Sequence, residues 1–66
     1  MSKNLKLKAA RVLKDMTQKD LAEAVNVSRQ TINAIENGDY NPTIKLCSDI
    51  CKILNKSLDD LFGWEE

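Results

Sequence analysis

Apolar residues recur along this chain at intervals of three and four, the spacing that places side chains on one face of an α-helix. In the first such segment, about residues 5–15, the shared face is formed by Leu7, Ala10 and either Leu13 or Lys14. The longest uninterrupted apolar run is two residues long, which is too short to span a membrane. We therefore predict an amphipathic first helix in a globular chain.

Polar residues that can cap helices divide the rest of the chain. Thr17 and Ser57 are each followed three residues later by an aspartate, which is the pattern of a capping box. Ser28 and Thr43 offer hydroxyl caps of the same kind, and Gly38 is a typical stop at the end of a helix. The further helices predicted in this way cover about residues 18–25, 29–37, 44–54 and 58–62.

Composition excludes a fold of many short strands and several kinds of functional site. The 66 residues include two glycines and one proline, too few turn formers for a sandwich of many short strands. Two cysteines with no histidine cannot build a four-ligand zinc site without carboxylates. No glycine-rich phosphate loop is present either. We predict one five-helix domain over residues 1–66 that is not an enzyme and uses no cofactor, metal or evident small-molecule ligand.

The short connection between the second and third helices is the most informative feature. Such a connection requires a small residue where the helices cross, a turn residue that tolerates a positive φ, and a branched apolar wedge between the helices. Ala22, Asn26 and Ile32 meet these three requirements. The pattern predicts a helix-turn-helix, with an αα-hairpin that binds no ligand as the alternative.

The segment that carries these residues resembles the DNA-binding domain of the phage repressor and Cro group, the XRE-type regulators. Its sequence is QKDLAEAVNVSRQTINAIENG, residues 18–38, and the resemblance extends over about residues 7–62. It is strongest to the smallest members, which consist of the bare domain. Asn26 stands where the family usually has glycine. The resemblance implies a repressor that binds an inverted-repeat operator in double-stranded DNA as a homodimer, with helix 3 in the major groove.

In such folds the first turn of helix 3 contacts base edges. Arginine pairs with the two acceptors of guanine, and glutamine or asparagine pairs with adenine. A threonine or alanine can contact the methyl group of thymine. The base contacts implied here are Arg29, Gln30, Thr31, Asn33 and Ala34.

Contacts to the DNA backbone need hydroxyls, amides and the free N–H groups at helix starts. Gln18 matches the family position for such a contact. Ser28 could cap helix 3 and contact phosphate at the same time. Four further residues near the expected edge are candidates, or else ordinary surface and turn residues: Lys19, Asn37, Tyr40 and Asn41.

The resemblance also implies a structural role for two charged residues. Arg11 on helix 1 and Glu36 on helix 3 are expected to meet as a partly buried ion pair that ties the two helices together. Arginine suits this role better than lysine because its planar guanidinium can bind a carboxylate through two parallel hydrogen bonds.

Helix 4 contains two cysteines four residues apart, Cys47 and Cys51. They share the predicted inward face with Ile44, Ile50 and Leu54. Two cysteines on consecutive turns of one helix rarely satisfy disulfide geometry. We therefore interpret them as small buried apolar residues rather than as a metal or redox site.

The fourth helix and the tail carry more apolar residues than a monomer of this size can bury, and such a patch usually marks an interface. The predicted dimer face comprises Leu46, Ile50, Ile53, Leu61, Phe62 and Trp64. Alternatively, residues 62–66 could pair as a short strand with residues 2–5, since a short member of the family has a small sheet there.

The net charge of zero conceals a division along the chain. Residues 1–33 contain seven basic and three acidic residues, and residues 34–66 contain three basic and seven acidic. This division fits a protein with one face toward an anionic partner, or simply a solvated surface. A competing function is a protein-binding module, such as an antitoxin or an adaptor. The N-terminus lacks the apolar core of a signal peptide, so we expect a cytoplasmic protein with no membrane partner.

Overall fold

The computed structural model describes residues 3–63, and its helices are α1 (Leu5–Leu13), α2 (Gln18–Ala24), α3 (Arg29–Asn37), α4 (Ile44–Leu54) and α5 (Leu58–Phe62). No strand occurs within this range. Helix α2 packs against α3, α1 contacts α3 and α5, and α4 contacts α5 and α2. The predicted all-α fold is thus confirmed. No helix within residues 3–63 is long and apolar enough to cross a membrane.

Side-chain caps begin the helices where the sequence predicts them. Thr17 and Ser57 form complete capping boxes with Asp20 and Asp60. At α2, Thr17 Oγ1 accepts the Asp20 N–H at 3.0 Å, and the Asp20 carboxylate accepts the Thr17 N–H at 3.0 Å. The hydrogen bonds from Thr17 stabilise the charged form of Asp20 and lower its pKa below the usual value. Those from Ser57 lower the pKa of Asp60 in the same way.

Asn4 connects three helices, a role that the sequence reading missed. Its side-chain oxygen caps α1 by accepting the Leu7 N–H at 3.0 Å. Its side-chain nitrogen donates to the Leu61 carbonyl in α5 at 2.9 Å, and its backbone N–H donates to the Glu36 carbonyl near the end of α3 at 2.8 Å. We call this arrangement of three hydrogen bonds the Asn4 clasp.

The core lies where α1, α2, α3, α4 and α5 converge. Its largest fully buried side chains are Leu7, Leu21, Ile32, Ile50 and Leu54. Four partly buried side chains pack around this core: Met16, Val27, Leu46 and Phe62. Each helix thus contributes at least one buried apolar side chain to the core, and such tertiary packing is the stabilising contribution that short helices require.

The first two helices end earlier than predicted. Helix α1 stops at Leu13 instead of residue 15 because Asp15 adopts a left-handed conformation with φ 58°, which a right-handed helix does not accommodate. Leu13 and Lys14 are both exposed, and the inward stripe continues from Ala10 to Arg11 instead. Helix α2 ends at Ala24, one residue before the predicted end.

The structure corrects the predicted dimer face. Ile50 is 0 % exposed and Leu61 is 3 % exposed, because both side chains point into the core and leave no surface for a partner. Ile53 is 39 % exposed, and Leu46 and Phe62 are partly buried. Trp64 lies outside the described residues. Ile44 differs in the opposite sense: the sequence predicts that it faces inward, but it is 76 % exposed at the start of α4.

The suggested pairing of the two ends as strands is also wrong for the described residues. Leu5 begins α1 and Phe62 ends α5, so both are helical. The two ends are joined instead by the side chain of Asn4, which donates to Leu61. The remainder of the suggested tail strand, residues 64–66, and Ser2 lie outside the described range.

Both cysteines are free and buried, as the helical face predicts. Burial raises the pKa of the Cys47 and Cys51 thiols above the usual value. A raised pKa keeps the thiols protonated and unreactive. Among residues 3–63 no three His, Cys, Asp or Glu side chains are grouped so that they could hold a metal ion.

Candidate nucleic-acid interface

Helices α2 and α3 meet in a tight corner. Ala22 is buried at the crossing and Ile32 is fully buried between the helices. Asn26 adopts the left-handed conformation with φ 62°, and the Val27 N–H then donates to the Ala22 carbonyl at 2.9 Å. Each of the three residues therefore lies where a helix-turn-helix requires it.

The N-terminal half of α3 presents polar side chains to solvent. Arg29, Gln30 and Asn33 are exposed, whereas Thr31 and Ala34 are half-buried. Ser28 Oγ accepts the Thr31 N–H at 3.2 Å, and the Ser28 and Thr31 hydroxyls are 3.0 Å apart. The exposed side chains of α3 thus lie beside a helix N-terminus, where the N–H groups of the first turn favour an anion.

The remaining candidates for contacts to the DNA backbone lie at the start of α2, at the end of α3 and in the link that follows α3. Gln18 and Lys19 open α2, and Asn37 is the last residue of α3. Tyr40 and Asn41 are exposed in the link to α4. The chain leaves α3 through Gly38, whose φ of 79° lies in the left-handed region that glycine adopts without strain.

A buried ion pair lies behind the exposed face. Arg11 Nε donates to Glu36 Oε2 at 2.7 Å, and Arg11 Nη2 donates to Glu36 Oε1 at 3.3 Å. The two side chains are 10 % and 4 % exposed. Arg11 Nη1 also donates to the Met16 carbonyl at 2.8 Å, so the pair ties α1 to α3 and to the segment before α2.

The side chain of Gln18 extends this network toward solvent. Its Nε2 donates to Glu36 Oε1 at 3.1 Å and to Asn33 Oδ1 at 3.2 Å. A primary amide has two N–H donors, so both are occupied. This connection between the ion pair and an exposed residue of α3 was not evident in the sequence, because the three residues are 15 and 18 positions apart.

Residues 7–61 match a protein-family model described as helix-turn-helix. The chain belongs to the helix-turn-helix family of XRE-type regulators. It is therefore a DNA-binding transcriptional regulator and not an enzyme. Helices α2 and α3 are the two helices that give this family its name.

Several known proteins are similar to this helix-turn-helix regulator. An uncharacterized HTH-type transcriptional regulator of Methanocaldococcus jannaschii is 48% identical over 61 residues, which cover 92% of each chain. The HTH-type regulator YgzD of Bacillus subtilis is 43% identical over 61 residues, with 92% of each chain covered. The restriction-modification controller protein C.AhdI of Aeromonas hydrophila has a similar fold, with a TM-score of 0.83 at 22% identity over 89% of each chain.

Proposed function

We propose that this regulator is a repressor that binds an inverted-repeat operator as a homodimer, with α3 in the major groove. The observation that carries the proposal is the exposed group Arg29, Gln30 and Asn33 on the N-terminal half of α3. Arginine matches the two major-groove acceptors of guanine, and the two amides match adenine. Thr31 and Ala34, which are half-buried beside them, are suited to contact with a thymine methyl group.

Contacts to the DNA backbone orient this helix. Gln18 supplies a backbone N–H at the start of α2 rather than its side-chain amide, because both side-chain donors are occupied by Asn33 and Glu36. Ser28 lies at the start of α3. Lys19, Asn37, Tyr40 and Asn41 complete the proposed backbone contacts. These contacts fix the position of the protein and carry no base information.

Accessible apolar side chains on α4 and α5 support a dimer. The proposed interface comprises Leu46, Ile53 and Phe62, which remain at least partly accessible. A two-fold dimer would place its half-site centres about 34–36 Å apart, roughly 10 base pairs. A dimer bound across a promoter would exclude other proteins from that DNA, which is the proposed basis of repression.

Arg29→Ala tests the proposal. Selection from random oligonucleotides with the unmodified protein should return an inverted repeat. On this operator, at one fixed salt concentration, Arg29→Ala should weaken binding by about 1–3 kcal/mol and relax the preference at one base pair. The melting temperature should hardly change, because exposed substitutions usually alter stability by less than about 0.5 kcal/mol.

Lys52→Ala is the matched control, since it also removes one positive charge but from an exposed position of α4. It should leave the base preference unchanged. Operator binding by Arg29→Ala that equals that of the unmodified protein would show that α3 is not the reading helix. Selection of no DNA sequence at all would favour the protein-binding module.

A further inference from the structure

We propose that Gln18 is a positioning residue that sets the direction of the Asn33 side-chain amide, so that Asn33 presents an N–H donor to a purine. The inference rests on the proposed function, because it assumes that α3 reads bases. It assigns Gln18 a role in specificity, in addition to the proposed backbone contact of its N–H group.

Glu36 determines the orientation of the two side-chain amides. An ionised carboxylate is only an acceptor of hydrogen bonds, and the Arg11 guanidinium 2.7 Å away keeps a positive charge beside it. The part of Gln18 that faces Glu36 Oε1 at 3.1 Å must therefore be the NH₂ group. The reversed Gln18 amide would place its oxygen against the carboxylate and lose this hydrogen bond.

The second side-chain N–H of Gln18 in turn fixes the orientation of the Asn33 amide. Gln18 Nε2 lies 3.2 Å from Asn33 Oδ1, and because Nε2 is a donor, the facing atom of Asn33 must be its oxygen. The Asn33 NH₂ group then lies on the other side of the amide. It makes no hydrogen bond to other side chains of residues 3–63, and Asn33 itself is exposed.

This orientation specifies what Asn33 can read. Its NH₂ group can donate to N7 of a purine, and the second lone pair of Oδ1 can accept the N6 amino group of adenine. The opposite orientation would present only a carbonyl oxygen, which suits donors. Gln18 therefore favours adenine at the base pair opposite Asn33, and it does so before DNA arrives, which reduces the ordering required on binding.

The test compares Gln18→Met, Asn33→Ala and the double variant on the selected operator and on operators with each base changed. Methionine keeps a similar length and a high helix propensity but removes the amide. Asn33→Ala should reduce discrimination at one base pair by roughly fivefold to a hundredfold. Gln18→Met should reduce discrimination at the same base pair by about threefold to thirtyfold, and the double variant should lose no more than Asn33→Ala alone.

Gln30→Met is the matched control, because it also replaces a glutamine amide by methionine, but at an exposed position of α3. Its effect should fall on a different base pair and should multiply with that of Asn33→Ala. If Gln18→Met weakens binding to all sequences equally, or if its effect multiplies with that of Asn33→Ala, the positioning role is wrong while the proposed function stands. If Asn33→Ala leaves base preference unchanged, Asn33 is not a reader and the inference fails with it.

A measurement without DNA keeps the inference testable if Gln18→Met does not fold. In the proton–nitrogen NMR spectrum, the side-chain NH₂ protons of Gln18 should shift on Asn33→Ala, which alters only an exposed position. The proton bonded to Asn33 should move upfield, and the proton bonded to Glu36 should change little. If neither NH₂ proton of Gln18 shifted on Asn33→Ala, the proposed orientation of the amides would be wrong.

Discussion

Glu36→Ala is expected to lower the free energy of unfolding by about 3–5 kcal/mol, because it leaves the Arg11 guanidinium buried without its partner. A core of this size rarely supplies more than about 3–5 kcal/mol of net stability. The variant should therefore be largely unfolded at 25 °C, and any loss of DNA binding should follow from unfolding. Circular dichroism melts and urea titrations measure the effect.

The exposed pair between Lys45 and Asp49 is the matched control. It has a similar distance, 2.9 Å between Lys45 Nζ and Asp49 Oδ2, but Lys45 is 84 % exposed. Asp49→Ala should cost no more than about 0.5 kcal/mol. Replacing both partners of the buried pair, Arg11→Met with Glu36→Leu, should recover much of the lost stability. A Glu36→Ala protein that melts like the unmodified chain would refute a structural role for the ion pair.

Ile50→Ala and Ile53→Ala are expected to separate folding from dimer formation. Ile50 is fully buried, so its truncation should leave a cavity and cost about 2–5 kcal/mol of stability. Ile53 is 39 % exposed on the same helix, so its truncation should affect the monomer little. Sedimentation at micromolar concentration should show the unmodified protein at twice the monomer mass and Ile53→Ala shifted toward the monomer.

The two variants must also be compared by urea titration at low protein concentration, where association contributes least. There Ile53→Ala should unfold close to the midpoint of the unmodified protein, and Ile50→Ala well below it. A monomeric unmodified protein that binds a single half-site would contradict the dimer. Equal loss of stability in both variants would contradict the distinction between the two faces of α4.

Local signals explain which parts of the fold were predictable. The bounds of α3, α4 and α5 follow from caps such as Ser28, Thr43 and Ser57, because a capping hydroxyl acts on backbone groups two or three residues away. The end of α1 was not predicted because an aspartate such as Asp15 indicates a left-handed conformation much less strongly than a glycine does. Periodicity alone also could not show that Ile44 faces solvent or that the inward stripe of α1 continues to Arg11, since burial depends on which helix packs on each face.

The exposed residues of the candidate site could also be predicted from local signals, but the hydrogen bonds among its side chains could not. Arg29 and Gln30 were placed on the exposed first turn of α3 from the Ser28 cap. The hydrogen bonds of Gln18 to Asn33 and Glu36 depend on how α2 and α3 cross in space, which no spacing within one helix encodes. The same is true of Asn4, whose partners lie in three different helices.

The Asn4 clasp bears on the order in which the chain folds. Helices α2 and α3 contact each other over short stretches of sequence, whereas the bond from Asn4 to Leu61 joins residues 57 positions apart. Closing the longer loop costs more chain entropy. The corner of α2 and α3 is therefore expected to form in the transition state and the clasp afterwards. Asn4→Ala should accelerate unfolding in stopped-flow experiments and leave the refolding rate nearly unchanged. The clasp would then slow the opening of a domain whose α2–α3 corner is assembled first.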